Sequence, residues 1–181
     1  MSSPFRSLIL AALPALTAAS VQAQVTCALL QPTQFSQYFA QGGTTWEKSG
    51  NSTKECEFRS NNSWVLKAFL YADIQGGGIA ATQKSIEFRR FKADPTGPAA
   101  TLLQQRYPNA WAGLRSDRTK GYGDNGEYFV NAHVYTFGND KDAIMVRLEK
   151  PENFGPISAA EQEKLAQFGF DTMKKMAAQT R

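Results

Sequence analysis

The chain has 181 residues, of which 42% are hydrophobic, with a formal net charge of +4 and two cysteines. That length sits near the commonest size of a single domain and nothing suggests a second core, and neither an internal repeat nor a low-complexity segment is seen in the sequence. The charge is mild, so composition alone names no polyanionic partner.

Residues 1–23 carry one charge, Arg6, then an uncharged apolar stretch over residues 8–19, then Val21-Gln22-Ala23. That is the layout a signal peptidase reads. The stretch is shorter than the roughly 20 apolar residues of a membrane-spanning helix, and Pro14 interrupts it. The expectation is therefore a signal peptide over residues 1–23, cleaved after about Ala23, and a single mature domain over residues 24–181 in the periplasm or medium. A buried N-terminal helix is the plainer alternative. Loss of Arg6 leaves the mature chain at +3.

In an oxidising compartment Cys27 and Cys56 pair by default. The bridge would close a loop of about 30 residues, worth roughly 3 to 4 kcal/mol in the chain-entropy treatment. A lipid on Cys27 is the rival reading, but Gln24-Val25-Thr26 is not the small-residue run that a lipoprotein peptidase prefers.

Pro32 followed by Phe35, Tyr38 and Phe39, up to Gly42-Gly43, predicts a short amphipathic helix. Residues 44–48 read as a strand and residues 49–53 as a polar turn. Residues 54–59 alternate, with Cys56 and Phe58 on one side, and Ser60-Asn61-Asn62 turns the chain into a strand over residues 63–72, completing a hairpin. In the latter, Trp64, Leu66, Ala68 and Leu70 share one face, while Val65, Phe69 and Tyr71 take the other.

Gly76-Gly77-Gly78 reads as a flexible loop. Residues 80–91 fit a helix or a strand, and residues 99–107 fit a helix, with Pro95, Pro98 and Pro108 as punctuation. A second hairpin follows over residues 127–137 and 143–149, turning at Asn139-Asp140. Tyr128, Val130, Val134, Ile144, Val146 and Leu148 face one way, and Phe129, Tyr135, Phe137 and Met145 the other. A sheet with one wet face alternates more cleanly, so helices, or helix plus loop, are expected on both sides.

Ser158-Ala159-Ala160-Glu161 is a capping-box pattern, and behind it Leu165, Phe168, Thr172, Met173 and Met176 form an apolar stripe. Core is the commoner role of such a stripe than a cofactor surface. Gly169 inside this helix costs about 1 kcal/mol relative to Ala, which predicts close packing against a strand. Together the elements predict an α+β fold: a single-domain α/β/α sandwich with a mainly antiparallel sheet and a C-terminal helix packed on it.

Thr26-Cys27-Ala28-Leu29-Leu30 before a short helix, a second cysteine in a strand, and Gly121-Tyr122-Gly123-Asp124 before the last hairpin carry a resemblance. In these features the chain resembles small exported bacterial proteins and lipoproteins of unassigned function that open with Cys-x-Leu-Leu and later carry Gly-x-Gly-Asp. Their α/β/α sandwich is similar to that of the extrinsic P subunit of photosystem II. The resemblance spans most of the mature chain. It departs at Gln31, where a Thr commonly follows the Leu pair, and Cys27 stands outside a lipobox. It implies no catalytic residues.

The single histidine, His133, shares a strand face with Asn131 and Tyr135, and no Gly-x-Ser-x-Gly or His-Glu-x-x-His signature accompanies it. A structural or surface histidine explains it better than a triad or a metal site. With both thiols expected to pair, neither a metal nor a cofactor is called for. Gly76-Gly77-Gly78 lacks the Lys-Ser/Thr partner of a phosphate cradle, and Gly121-Tyr122-Gly123-Asp124 reads as a tight turn setting up the last hairpin.

Residues 84–120 hold eight Lys or Arg against Glu87, Asp94 and Asp117. Within them Arg89, Arg90, Lys92, Trp111 and Arg115 interleave basic and aromatic groups, which suits an anionic partner; a solvated charged face is the simpler reading. The sequence therefore points to a non-catalytic exported binding module for an anionic envelope polymer or an acidic protein. Nucleic acid is disfavoured by the exported address. A hydrolase using Asp124 and Glu127 is the alternative.

Overall fold

Alternating apolar and polar positions become an antiparallel sheet in the computed structural model, which describes residues 27–49, 55–71, 90–92, 98–115, 121–122, 128–139 and 142–179. The strands are β1 (Trp46–Lys48), β2 (Glu55–Ser60), β3 (Val65–Tyr71), β4 (Arg90–Lys92), β5 (Trp111–Arg115), β6 (Gly121–Tyr122), β7 (Tyr128–Phe137) and β8 (Ala143–Pro151). Their order is β1-β2-β3-β8-β7-β5-β4, with β6 beside the start of β7. Each adjacent pair is antiparallel. The second hairpin inserts beside the first, so β8 pairs with both β3 and β7.

The helices are α1 (Phe35–Tyr38), α2 (Pro98–Arg106) and α3 (Ala159–Gln179), with 3-10 turns at Pro32–Gln34 and Ala40–Gly42 on either side of α1. The expected single helix after Pro32 is thus broken into three short pieces. Pro32 supplies the first turn, where its missing N–H costs nothing. Gly43, at a φ of +111°, ends the last one in a conformation that favours glycine.

Leu66, Ala68, Ile144, Val146, Leu148, Ala132 and Val134 form the core face of the sheet, and Leu165, Phe168, Met173 and Met176 of α3 are buried against it. Phe35 is fully buried, its ring edge-on to Trp46, Phe58 and Phe168 at centroid distances of 5.6, 4.6 and 5.4 Å. One phenylalanine thereby joins the N-terminal segment, the β1–β2 edge and α3; losing such a ring typically costs about 3 to 5 kcal/mol. The Cys27–Cys56 disulfide fixes the same segment to β2 across a sequence separation of 29.

Ser158 and Glu161 form the capping box, Ser158 N–H donating to Glu161 Oε2 at 2.6 Å and Glu161 N–H to Ser158 Oγ at 3.2 Å. Gly169 is where α3 meets β7: a Cβ there would lie 2.0 Å from Thr136 Oγ1. The glycine is a packing requirement, as its cost in a helix implied.

The fold is α+β, a single antiparallel sheet with the long C-terminal helix against one face. The opposite face is not bare either, since Phe137 and Asn131 on it are buried. Of residues 80–91, read as helix or strand, only Arg90 and Phe91 are described, and they are strand. A second helical layer drawn from the remainder lies outside the described residues. So do residues 1–23, expected as a signal peptide, and Gly76-Gly77-Gly78, expected as a loop.

Candidate functional site

Within the basic section, residues 90–92 and 111–115 are paired strands of the sheet. In β4, Arg90 pairs with Gly113, Phe91 with Ala112 and Lys92 with Trp111. Phe91 packs on the core, while Lys92 is exposed. In β5, Arg115 pairs with His133 of β7. Four of the five expected binding residues, Arg90, Lys92, Trp111 and Arg115, thus fall on two adjacent strands; Arg89 lies outside the described residues. β5 itself is a strand that the sequence did not declare. It is five residues long and contains Gly113, so its alternation is too short to stand out.

Trp111 is half-buried, 4.7 Å from the Phe137 ring, and Tyr135 stacks on Phe137 at 6.2 Å and 8°. Phe137 is buried. The indole is therefore held by packing and steadies the edge, leaving Lys92 as the exposed cation of the pair.

Further across the same face the charges are compensated. Glu57 faces Arg59 at 3.0 Å and Lys67 at 3.2 Å, and Glu149 faces Arg147 at 2.7 Å and Lys67 at 3.9 Å. Burial pushes the Glu57 carboxyl up, but hydrogen bonds from Ser49 and Lys67 and the charges of Lys67 and Arg59 outweigh it and hold the carboxyl below its usual range. His133 pairs in register with Arg115 and Arg147. Its register partners on both adjacent strands are arginines.

Among the described residues, no group of three His, Cys, Asp or Glu could hold a metal ion. The carboxylates of the hydrolase alternative, Asp124 and Glu127, lie outside the described residues. The chain on either side of them is fixed, because Gly121 pairs with Phe129 and Tyr122 with Tyr128. Gly121 and Tyr122 are therefore strand, a correction to the tight turn expected over Gly121-Tyr122-Gly123-Asp124.

Two polar clusters serve the fold. Asp171 accepts hydrogen bonds from Tyr38 Oη at 2.5 Å, Gln167 Nε2 at 3.1 Å and Lys174 Nζ at 3.1 Å in a groove between α1, α2 and α3. Burial and the neighbouring Asp171 push the Tyr38 hydroxyl up. Tyr107 Oη donates to Asp142 Oδ2 at 2.8 Å and accepts from Arg106 Nε at 3.0 Å.

A third feature went unread in the sequence. At the far end of β7 an open groove of about 480 Å³ is lined by Asn62, Ser63, Tyr128, Glu152, Asn153 and Phe154. Three chain segments meet there: the β2–β3 turn, the start of β7, and the 3-10 turn Glu152–Phe154 after β8. Ser63 has a φ of +62°, the left-handed region. An apolar ring within a polar turn, as at Phe154, was the one local sign available.

No family model matches the chain, nor does any curated protein or any solved structure, so the geometry of the described residues is what its function is read from.

Proposed function

We propose that this chain is an exported, non-catalytic binding module that takes an anionic partner, an acidic protein or envelope polymer, at the β4–β5 end of its sheet. One observation carries the reading: the basic run Arg90-Phe91-Lys92 forms the last of the described strands in the sheet order, anchored by Phe91 with Lys92 exposed. Cationic side chains on such a strand select acidic partners, and a strand takes an extended partner through its backbone wherever its edge is open. The leader-like residues 1–23 and the likeness to small exported proteins support the address, with Cys27–Cys56 in keeping with an oxidising compartment. Among the described residues no helix is long and apolar enough to cross a membrane.

Lysines on an end strand also discourage strands of neighbouring molecules from pairing. Retention on isolated envelope fractions separates the two roles. The protein should be retained at low salt and released as salt rises, and Arg90→Glu with Lys92→Glu should abolish retention. Protease treatment of the fraction removes an acidic protein partner and spares a polymer. Equal retention of the charge-reversed protein at every salt concentration refutes the reading.

A further inference from the structure

The groove between α1, α2 and α3 has a volume of about 380 Å³, and Lys175 lines it together with Tyr38, Leu102 and Ala178. We propose that this groove is a second binding site, for an aliphatic carboxylate whose head pairs with the Lys175 ammonium while its chain lies along Tyr38, Leu102 and Ala178. The groove volume falls within the range usual for small-molecule sites.

The partners of Lys175 decide the charge of the ligand. Its Nζ donates to the backbone oxygen of Leu29 at 3.0 Å and to Gln34 Oε1 at 2.6 Å, both neutral acceptors. Among the described residues these two bonds leave one of the three N–H groups of the ammonium for a ligand. Burial holds the Lys175 pKa below the usual lysine range, with the charge of Asp171 opposing. Taking water from this ammonium therefore costs more than its surroundings return. A carboxylate beside it supplies the missing compensation, and a charge-assisted bond in a half-buried groove is stronger than one at the open surface.

Asp171, the carboxylate lining the same groove, is already matched. It accepts from Tyr38 and Gln167, and Lys174 Nζ lies 3.1 Å from its Oδ1, so its charge is balanced on α3 itself. Lys175 is also held before any ligand arrives, because Leu29 and Gln34 belong to the N-terminal segment that the Cys27–Cys56 disulfide ties to β2. A wholly apolar ligand would leave Lys175 no better compensated, and a bare inorganic anion would leave Leu102 and Ala178 uncovered. A chain ending in one carboxylate meets both demands. The site shares no residue with the proposed β4–β5 contact.

Calorimetric titration with decanoate and with decanol, which share a chain and differ in the head, tests it on the protein alongside Lys175→Gln, Ala178→Trp and Lys92→Glu. Decanoate should bind saturably, and decanol roughly tenfold or more weakly, the scale of one charge-assisted hydrogen bond. Lys175→Gln should bring decanoate down to the affinity of decanol. Lys175 also tethers the N-terminal segment, so a second variant leaves it in place: Ala178 is exposed, and Ala178→Trp narrows the groove. That variant should keep the melting temperature and weaken both ligands by roughly tenfold, since it takes the space of the chain. Lys92→Glu should leave decanoate binding unchanged. Absence of saturable decanoate binding, equal affinity for decanoate and decanol, or undiminished affinity in Lys175→Gln or Ala178→Trp overturns the proposal. Loss of binding in Lys92→Glu overturns it too, by assigning the carboxylate to the sheet edge.

Discussion

Glu161 holds the buried Lys150 with both carboxylate oxygens, at 2.8 and 2.9 Å from Nζ, while one of those oxygens also accepts the Ser158 backbone N–H. Lys150 is 2% exposed. The last core-face position of β8 and the first turn of α3 are therefore joined through one carboxylate that closes the helix cap and balances the buried charge.

Removing either partner alone should not cost the same. Glu161→Ala leaves an ammonium stranded in the core and opens the cap, a loss of about 3 to 5 kcal/mol. Lys150→Met removes the charge, keeps the stem's volume and leaves the cap in place, so it should cost less than about 1.5 kcal/mol. Chemical denaturation of the two single variants and the double variant reads this directly: Glu161→Ala should cost much less in the Lys150→Met background. Additive losses would show that the pair is not coupled.

Gly169→Ala should destabilise the protein by about 1 to 3 kcal/mol, although alanine is the better helix former, because the new methyl meets Thr136. The separation of 2.0 Å between an added Cβ and Thr136 Oγ1 leaves no room without movement of helix or strand. Thr136→Ala removes the obstructing hydroxyl, whose oxygen is buried without a hydrogen-bond partner among the described residues. The double variant should recover most of the loss in a thermal melt.

Alkaline pH should weaken the fold through Tyr107. Burial pushes its hydroxyl up to about 12; the Arg106 hydrogen bond opposes this and the Asp142 hydrogen bond and charge reinforce it. In the unfolded chain a tyrosine loses its proton near pH 10. Between about pH 10 and 12 the unfolded state therefore binds fewer protons than the folded one, and stability falls as pH rises. Tyr107→Phe should flatten that part of the stability profile while lowering stability at neutral pH by about 1 to 2 kcal/mol through the lost hydrogen bond to Asp142. An unchanged alkaline slope in this variant would assign the effect elsewhere.

Local signals carried far along this chain. Cys56 and Phe58, Leu66 and Ala68, and Ile144, Val146 and Leu148 announce their strand faces by period two, and all of them lie in the core. Ser158 and Glu161 announce the start of α3, and Gly169 its contact with a strand, because a cap and an interior glycine each have a physical cost that can be read in place. The position of Lys92 next to Trp111 was not legible in that way. Neither was β5, whose five residues include a glycine.

The sequence by itself determined which residues alternate, where the last helix begins and which two cysteines could meet. Tertiary structure decided that β8 lies between β3 and β7, that Arg90–Lys92 pairs with β5, that Lys150 finds Glu161, and that Asn62, Tyr128 and Phe154 share a groove. The reason is that a period-two pattern fixes which face of a strand is buried but says nothing about its neighbour, so contacts between distant segments follow only from how the strands are ordered.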